Sequence, residues 1–356
     1  MQHKRQLKLG SVHKLRRYLK MNRIFANWLL VAGVLRFSTL HSWAVGANVI
    51  TQNGYNNCIE LTNGVVRVVL EPNLGGRVIV FSLNGINALY QNADYDGKTQ
   101  ATVTMIGHVP GGRFDVGPEF AQPRHPVLWI GAWRAEITGS YSARLTSEVD
   151  PQTGLQIIRE FSLEEGLPHL ECRQIIANRS ESERSACHWG RTFVPGGGIC
   201  LLPLNPQSRY PAGYAAYVSG SASPFVTVQF RPPSDPHVRV REQILEVLGQ
   251  PNSPKIVVDS NEGWLAYIGK NGLLFIKRFE ADPHMVSGEP AGNSTAIWFD
   301  QDRICELEPI GPLVKLAPGA CTSFTEHWWL YEAPPALSGQ VELNEVRERL
   351  RQSASR

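Results

Sequence analysis

No Cys-x-x-Cys, His-Glu-x-x-His or His-x-His spacing occurs in the chain. Their absence excludes a zinc ribbon, a thioredoxin-type redox pair and a metallohydrolase helix, so no metal centre is expected. Gly-x-Ser-x-Gly is missing too, which removes the nucleophile elbow of the α/β-hydrolases. The glycine run in "VPGGG" (194–198) is followed by neither a lysine nor a helix start. It reads as a turn needing positive φ, and no nucleotide or other cofactor is expected. Helical periodicity is almost absent, and no repeat of fixed period marks a propeller.

Charge of one sign is missing locally. Residues 1–47 hold nine Lys/Arg and no Asp or Glu, and "IFANWLLVAGVL" (24–35) is an apolar run. A basic segment, an apolar segment and the small residues of "AVGAN" (44–48) read as a signal peptide with cleavage near Ala47, or as a signal anchor. The apolar run stops at Arg36, short of the ~20 residues that span a bilayer. Contact with a membrane is therefore expected only through an uncleaved leader, and a periplasmic or secreted location follows. The leader also carries the chain's basicity. The whole is formally +3, and without those nine charges residues 48–356 come to about −6. No Lys/Arg-rich run follows residue 47, so nucleic acid is not an expected partner.

What is present is strand and turn. Glycine (32) and proline (24) are plentiful, and 42% of residues are hydrophobic, enough for a large core. Asn63-Gly64, Asn84-Gly85 and Asn271-Gly272 each lie between β-branched segments, the strongest short-range hairpin signal. Residues 154–180 read as a further strand pair. The last pair is expected from "TAIWFDQDRICELEP" and "CTSFTEHWWLYE", joined by "IGPLVKLAPGA". A turn of helix is expected near 240–248, and loops at 211–225 and 231–240. A helix is expected over 341–352, where Val341, Leu343, Val346 and Leu350 share one side. The fold class is all-β: a large antiparallel sandwich over 48–335, with a helical tail at 336–356. The six cysteines read either as buried thiols in strands or, in an exported chain, as disulfide partners.

Three stretches could carry chemistry. In "CELE" Glu306 and Glu308 fall on one strand face about 7 Å apart, where mutual repulsion in a cleft would raise a pKa and suit acid–base work. On the strand at 321–332, Thr325, His327, Trp329 and Tyr331 share a face, and His327 and Trp329 are candidate substrate contacts. The plain alternative is a solvated sheet face over an aromatic core. "HVPGGRFDVGPEF" (108–120) gathers His108, Arg113, Asp115 and Glu119 in what reads as a glycine-rich loop. "CHWGRTF" contributes His188 and Arg191, with Trp189 and Trp298 as possible flat platforms for a ligand.

The segments "IELTNGVVRVVLEPNLGGRVIVFSLNGINALY", "GGRFDVGPE", "IIANRSESERSACHWGRTFVPGGG" and "CELEPIGPLVKLAPGACTSFTEHWWL" occur in an order that resembles galactose mutarotase-like (aldose 1-epimerase-like) proteins. The likeness covers about 55–331 and is closest to a bacterial branch apart from the authentic epimerases. It implies a β-supersandwich, a carbohydrate small molecule or glycan as partner, and isomerase chemistry. In that family a glutamate near the C-terminus takes the anomeric proton while a histidine protonates the ring oxygen. By resemblance Glu306 is the base, with Glu308 the close alternative, and His188 the acid. His108 resembles the second substrate histidine, and Arg77 stands at the Gly-Gly-Arg turn. The chain lacks the family's His-x-x-x-Asn run, which weakens the match for catalysis more than for sugar binding. Non-catalytic sugar binding, and a domain related to polysaccharide lyases or hydrolases, stand as the alternatives.

Overall fold

A computed structural model describes residues 45–219, 226–281, 287–334 and 341–354. Most of the expected leader lies outside these residues, as does the segment 335–340. The described chain builds two antiparallel sheets packed face to face. From edge to edge the first runs through Gly46–Gln52, Tyr55–Thr62, Val66–Glu71, Arg77–Leu83, Gly112–Gly117, Arg184–Pro195, Ile304–Pro309, Thr295–Asp300, Lys255–Val258, Ala215–Ser219 and Val226–Gln229. Two short strands, Ile86–Asn87 and Val314–Leu316, pair beside it. The second runs through Val238–Arg241, Ile244–Leu248, Ile199–Pro203, Trp264–Ile268, Leu273–Phe279, Cys321–Glu332, His169–Asn178, Leu155–Leu163, Ser142–Thr146 and Arg134–Gly139.

The main core lies between the sheets and joins Phe81, Phe114, Val116, Val194, Ile297 and Leu307 of the first to Phe161, Leu202, Phe275, Trp328 and Leu330 of the second. Side chains alternate across a strand, so the neighbours of these residues point away from the core. The outer face of the second sheet is covered by the C-terminal helix, Leu343–Ala354, through Leu343, Val346 and Leu350 against Leu274, Ile276 and Trp329. On the outer face of the first sheet lie a loop over residues 91–108 and the short helix α1 (Pro126–Ile130); the C-terminal helix is α2. No helix among the described residues is long and apolar enough to cross a membrane.

The three Asn-Gly pairs sit between paired strands as expected, with Asn84 and Gly85 both at positive φ (52° and 78°). Four expectations are corrected. Residues 238–248 form two strands, Val238–Arg241 and Ile244–Leu248, and no helix. Both expected loops contain strands, since Ala215–Ser219 pairs with Lys255–Val258. The stretch read as a glycine-rich loop contains the central strand Gly112–Gly117, buried along its length. The expected final hairpin does not form. Thr295–Asp300 pairs with Ile304–Pro309 in the first sheet, while Cys321–Glu332 crosses to the second sheet between Leu273–Phe279 and His169–Asn178.

Candidate functional site: a charged aromatic cleft on the first sheet

Strand register lays a row of large polar and aromatic side chains across the outer face of the first sheet. Arg113 and Asp115 stand opposite Arg191 and Trp189. Glu306 lies between Phe193 and Trp298, and Glu308 is opposite Ala296. Lys255 follows opposite Trp298, and Tyr217 opposite Lys255. A cavity of about 310 Å³ opens over this row, lined by His108, Glu119, Phe120, Trp189, Arg191, Tyr217, Lys255, Trp298 and Glu306. A second cavity of about 390 Å³ adjoins it past His108, lined by Tyr90, Asp94, Tyr95, Lys98 and Arg303.

Most of the charges at the cleft are held in ion pairs. Arg191 donates from Nε to Glu306 Oε1 at 2.7 Å and from Nη2 to Oε2 at 3.3 Å, and its Nη1 lies 3.7 Å from Asp115. Its guanidinium also lies over the rings of Trp189 (4.4 Å) and Trp129 (5.1 Å). Arg113 sits beneath, over Trp129 and Phe193, and burial together with nearby Arg191 pushes its pKa down. Lys255 bridges Glu119 (2.7 Å) and Glu308 (3.0 Å), while Trp189 Nε1 donates to Glu308 at 2.7 Å.

Glu308 is fully buried, and burial raises its carboxyl to about 7 despite Lys255, with Glu306 adding to the rise. Lys255 itself is pushed up: burial opposes its charge, but Glu308 and Glu119 outweigh it. The physical picture is one ammonium shared by several carboxylates. Lys255 stays charged, and the carboxyl furthest from water is the one that keeps a proton near neutral pH. Asp115 takes a 2.7 Å hydrogen bond from His125 Nε2. Burial alone would lower His125, but that bond and the charge of Asp115 raise it to about 9. His125 stacks on Trp129 of α1, so the short helix forms the back wall behind Arg191.

The sequence-derived candidates divide by sheet face. Glu306, Glu308, Arg191, Arg113, His108 and Glu119 all belong to the cleft or its floor. His108 is its accessible imidazole: it lies 3.5 Å from Asp300 and 5.8 Å, ring to ring, from Trp298. His188 is on the other face, between the sheets, stacked between Phe114 and Phe324 (5.4 and 5.6 Å). Burial drives its pKa down to about 3, so it is a neutral ring at physiological pH, separated by the sheet from Glu306. Arg77 is also buried, locked to Glu71 at 2.8 Å and to the Pro110 carbonyl at 2.9 Å, where it shapes the approach to Gly112–Gly117 and lines neither cavity. His327 and Trp329 lie on the far side of the second sheet: Trp329 stacks on His169 at 4.1 Å, and His169 Nε2 meets His327 Nδ1 at 3.1 Å. Lys255, Tyr217, Trp129 and His125 complete the site and were not candidates. Each is a single residue in its stretch of sequence with no motif around it.

No family model matches the chain, and no match was found among curated proteins by sequence. Solved structures do match. A candidate aldose 1-epimerase from Escherichia coli K12 superposes with TM-score 0.53 at 11% identity, over 81% of this chain and 100% of its own. A galactose mutarotase-like protein from Lactobacillus casei gives 0.52 at 10%, over 77% and 100%. A TPR-domain containing protein from Parabacteroides distasonis gives 0.53 at 16%, over 79% of this chain and 49% of its own. At such identities the likeness is one of fold, and the chain has the galactose mutarotase-like fold.

Proposed function

We propose that this protein binds a carbohydrate in the cleft on the first sheet. The observation that carries this reading is the convergence of Trp189, Trp298 and Tyr217 with Arg191, Lys255, Glu119 and Glu306 around one cavity of about 310 Å³. Pyranose rings offer apolar faces to aromatic side chains and hydroxyls to paired charges, and both kinds of partner are present here. The basic and apolar leader places the protein outside the cytoplasm in this reading, which N-terminal sequencing of the mature protein tests directly. Binding is tested by calorimetric titration of the purified protein with hexoses and their disaccharides, beside Trp298→Ala. The expected result is saturable heat that the substitution weakens at least tenfold; silence across the series overturns the reading.

A second reading is anomer interconversion, favoured by the presence of Glu306 and His108 in the same cleft. In it Glu306 takes the anomeric proton and His108 serves the ring oxygen, the role that the resemblance gave to His188. The pairing of Glu306 with Arg191 opposes this, because both carboxylate oxygens already accept from the guanidinium, at 2.7 and 3.3 Å. Proton NMR of freshly dissolved α-glucose and α-galactose decides. Acceleration that Glu306→Gln abolishes would establish the isomerase; the spontaneous rate leaves a binding protein.

A further inference from the structure

The two sheets meet at a pair of cysteines that the cleft does not use. Cys200 lies on Ile199–Pro203 of the second sheet, opposite Tyr267 and Val247. Cys305 lies on Ile304–Pro309 of the first, opposite Val194 and Phe299, and it immediately precedes Glu306. Both point into the core between the sheets, Cys200 1% exposed and Cys305 not exposed at all. Their sulfur atoms are 3.3 Å apart. No other pair among the six cysteines is in contact: Cys58 turns to the Tyr55 carbonyl, Cys172 lies opposite Phe161 and Glu326, Cys187 packs against Gly117, and Cys321 is exposed.

We propose that Cys200 and Cys305 form a disulfide that joins the two sheets directly beneath the carboxylate strand of the cleft. A disulfide bond is about 2.05 Å long, so the sulfurs need approach by only about 1.2 Å. Chemically, the two thiols lose two protons and two electrons to a small disulfide oxidant such as oxidised glutathione. One thiolate attacks the oxidant, giving a mixed disulfide and one free thiol. The second thiolate then displaces the other half, and the oxidant leaves as two thiols. Burial holds the Cys305 thiol well above its ordinary pKa, so exchange is slow once the core has closed. The bond therefore forms as the sheets come together and is protected afterwards.

The full-length protein, unfolded and refolded with oxidised and reduced glutathione, tests the assignment. Remaining thiols are blocked with N-ethylmaleimide in denaturant before tryptic digestion and mass spectrometry. The expected map shows peptide 192–209 joined to peptide 304–315 and lighter by two hydrogens than the sum of the pair, with four of the six cysteines blocked. In Cys200→Ser, the peptide 304–315 carries the label instead. Six blocked cysteines in the wild-type protein, or a link between any other two, overturns the proposal; the wild-type map decides even if the variant fails to fold.

Discussion

Glu308 is a carboxyl with no exposure, one oxygen held by Trp189 and Lys255 and the other, Oε1, without a hydrogen-bond partner. Its folded-state pKa is raised, so the folded protein holds a proton there that the unfolded chain releases above about 4.5. The stability this proton supplies is fully present below the unfolded value and is lost as pH rises through the folded one. Lys255, Glu119, Glu306 and Arg191 all face the carboxyl, and Glu308→Gln leaves Lys255 its bond to Glu119. The glutamine variant should therefore gain on the wild type as pH rises from about 4.5 to 7, by about 1–3 kcal/mol. Urea unfolding at half-unit pH steps checks it, and a pH-independent gap would show that Glu308 is ionised throughout. His125 runs the same way at higher pH. Its raised value means that the stabilising pair with Asp115 is complete below about 6.5 and is lost as pH passes about 9.

At the scale of the strand, the sheet's two faces make different demands on neighbouring residues. Gly190 lies between Trp189 and Arg191 of the cleft but faces the interior, where a methyl group would sit 2.3 Å from Glu326 Oε1. That carboxylate takes bonds from Gln174 (2.9 Å), Trp328 (2.8 Å) and Lys277 (2.8 Å), all out of water. Gly190→Ala should push it off these donors and cost about 2–4 kcal/mol in urea unfolding, since a buried charge left unpaired is expensive. Gly107→Ala, with nothing within 4 Å, should stay within about 0.5 kcal/mol of wild type. The same strand shows where the sequence is legible and where it is not. Period-two alternation correctly put Glu306 and Glu308 on one face. It could not say which face of 184–195 is the cleft, because that strand is buried on both sides from Ala186 to Val194 and carries no polar alternation. His188 and Arg191 come from one short stretch, yet an odd separation of three residues sends them to opposite faces. Glu306 and His327 were drawn into one hairpin because the 11 residues between the segments include a Pro-Gly turn. The connection instead carries the chain from one sheet to the other, and nothing local distinguishes the two outcomes.

Over the whole molecule, the all-β sandwich and its C-terminal helix were legible from the Asn-Gly turns and the one amphipathic stretch, whereas the cleft was legible only in part. Lys255 and Tyr217 arrive from strands far along the chain, so their place beside Glu306 is a property of sheet order. What ties the sheets together is also not local. Arg159 of the second sheet donates to the carbonyls of Gly76 (2.8 Å) and Gly112 (3.1 Å) in the first, and Lys277 reaches Thr192 at 2.9 Å. These bonds cross a mainly apolar interior where water cannot replace them, so they fix the register of one sheet over the other. A Cys200–Cys305 bond would add a covalent crossing whose ends lie 105 positions apart in the sequence. Closing a loop of that length in the unfolded chain is worth roughly 3–5 kcal/mol when the native geometry is unstrained. The oxidised protein should therefore melt roughly 6–20 °C above the protein refolded with excess reductant, taking about 2–4 °C per kcal/mol. In Cys200→Ser the two preparations should melt together. A reductant-sensitive shift that survives in Cys200→Ser would place the stabilising bond elsewhere. No shift in the wild type, with the bond present in the peptide map, would mean that strain in the folded sandwich cancels the gain from closing the loop.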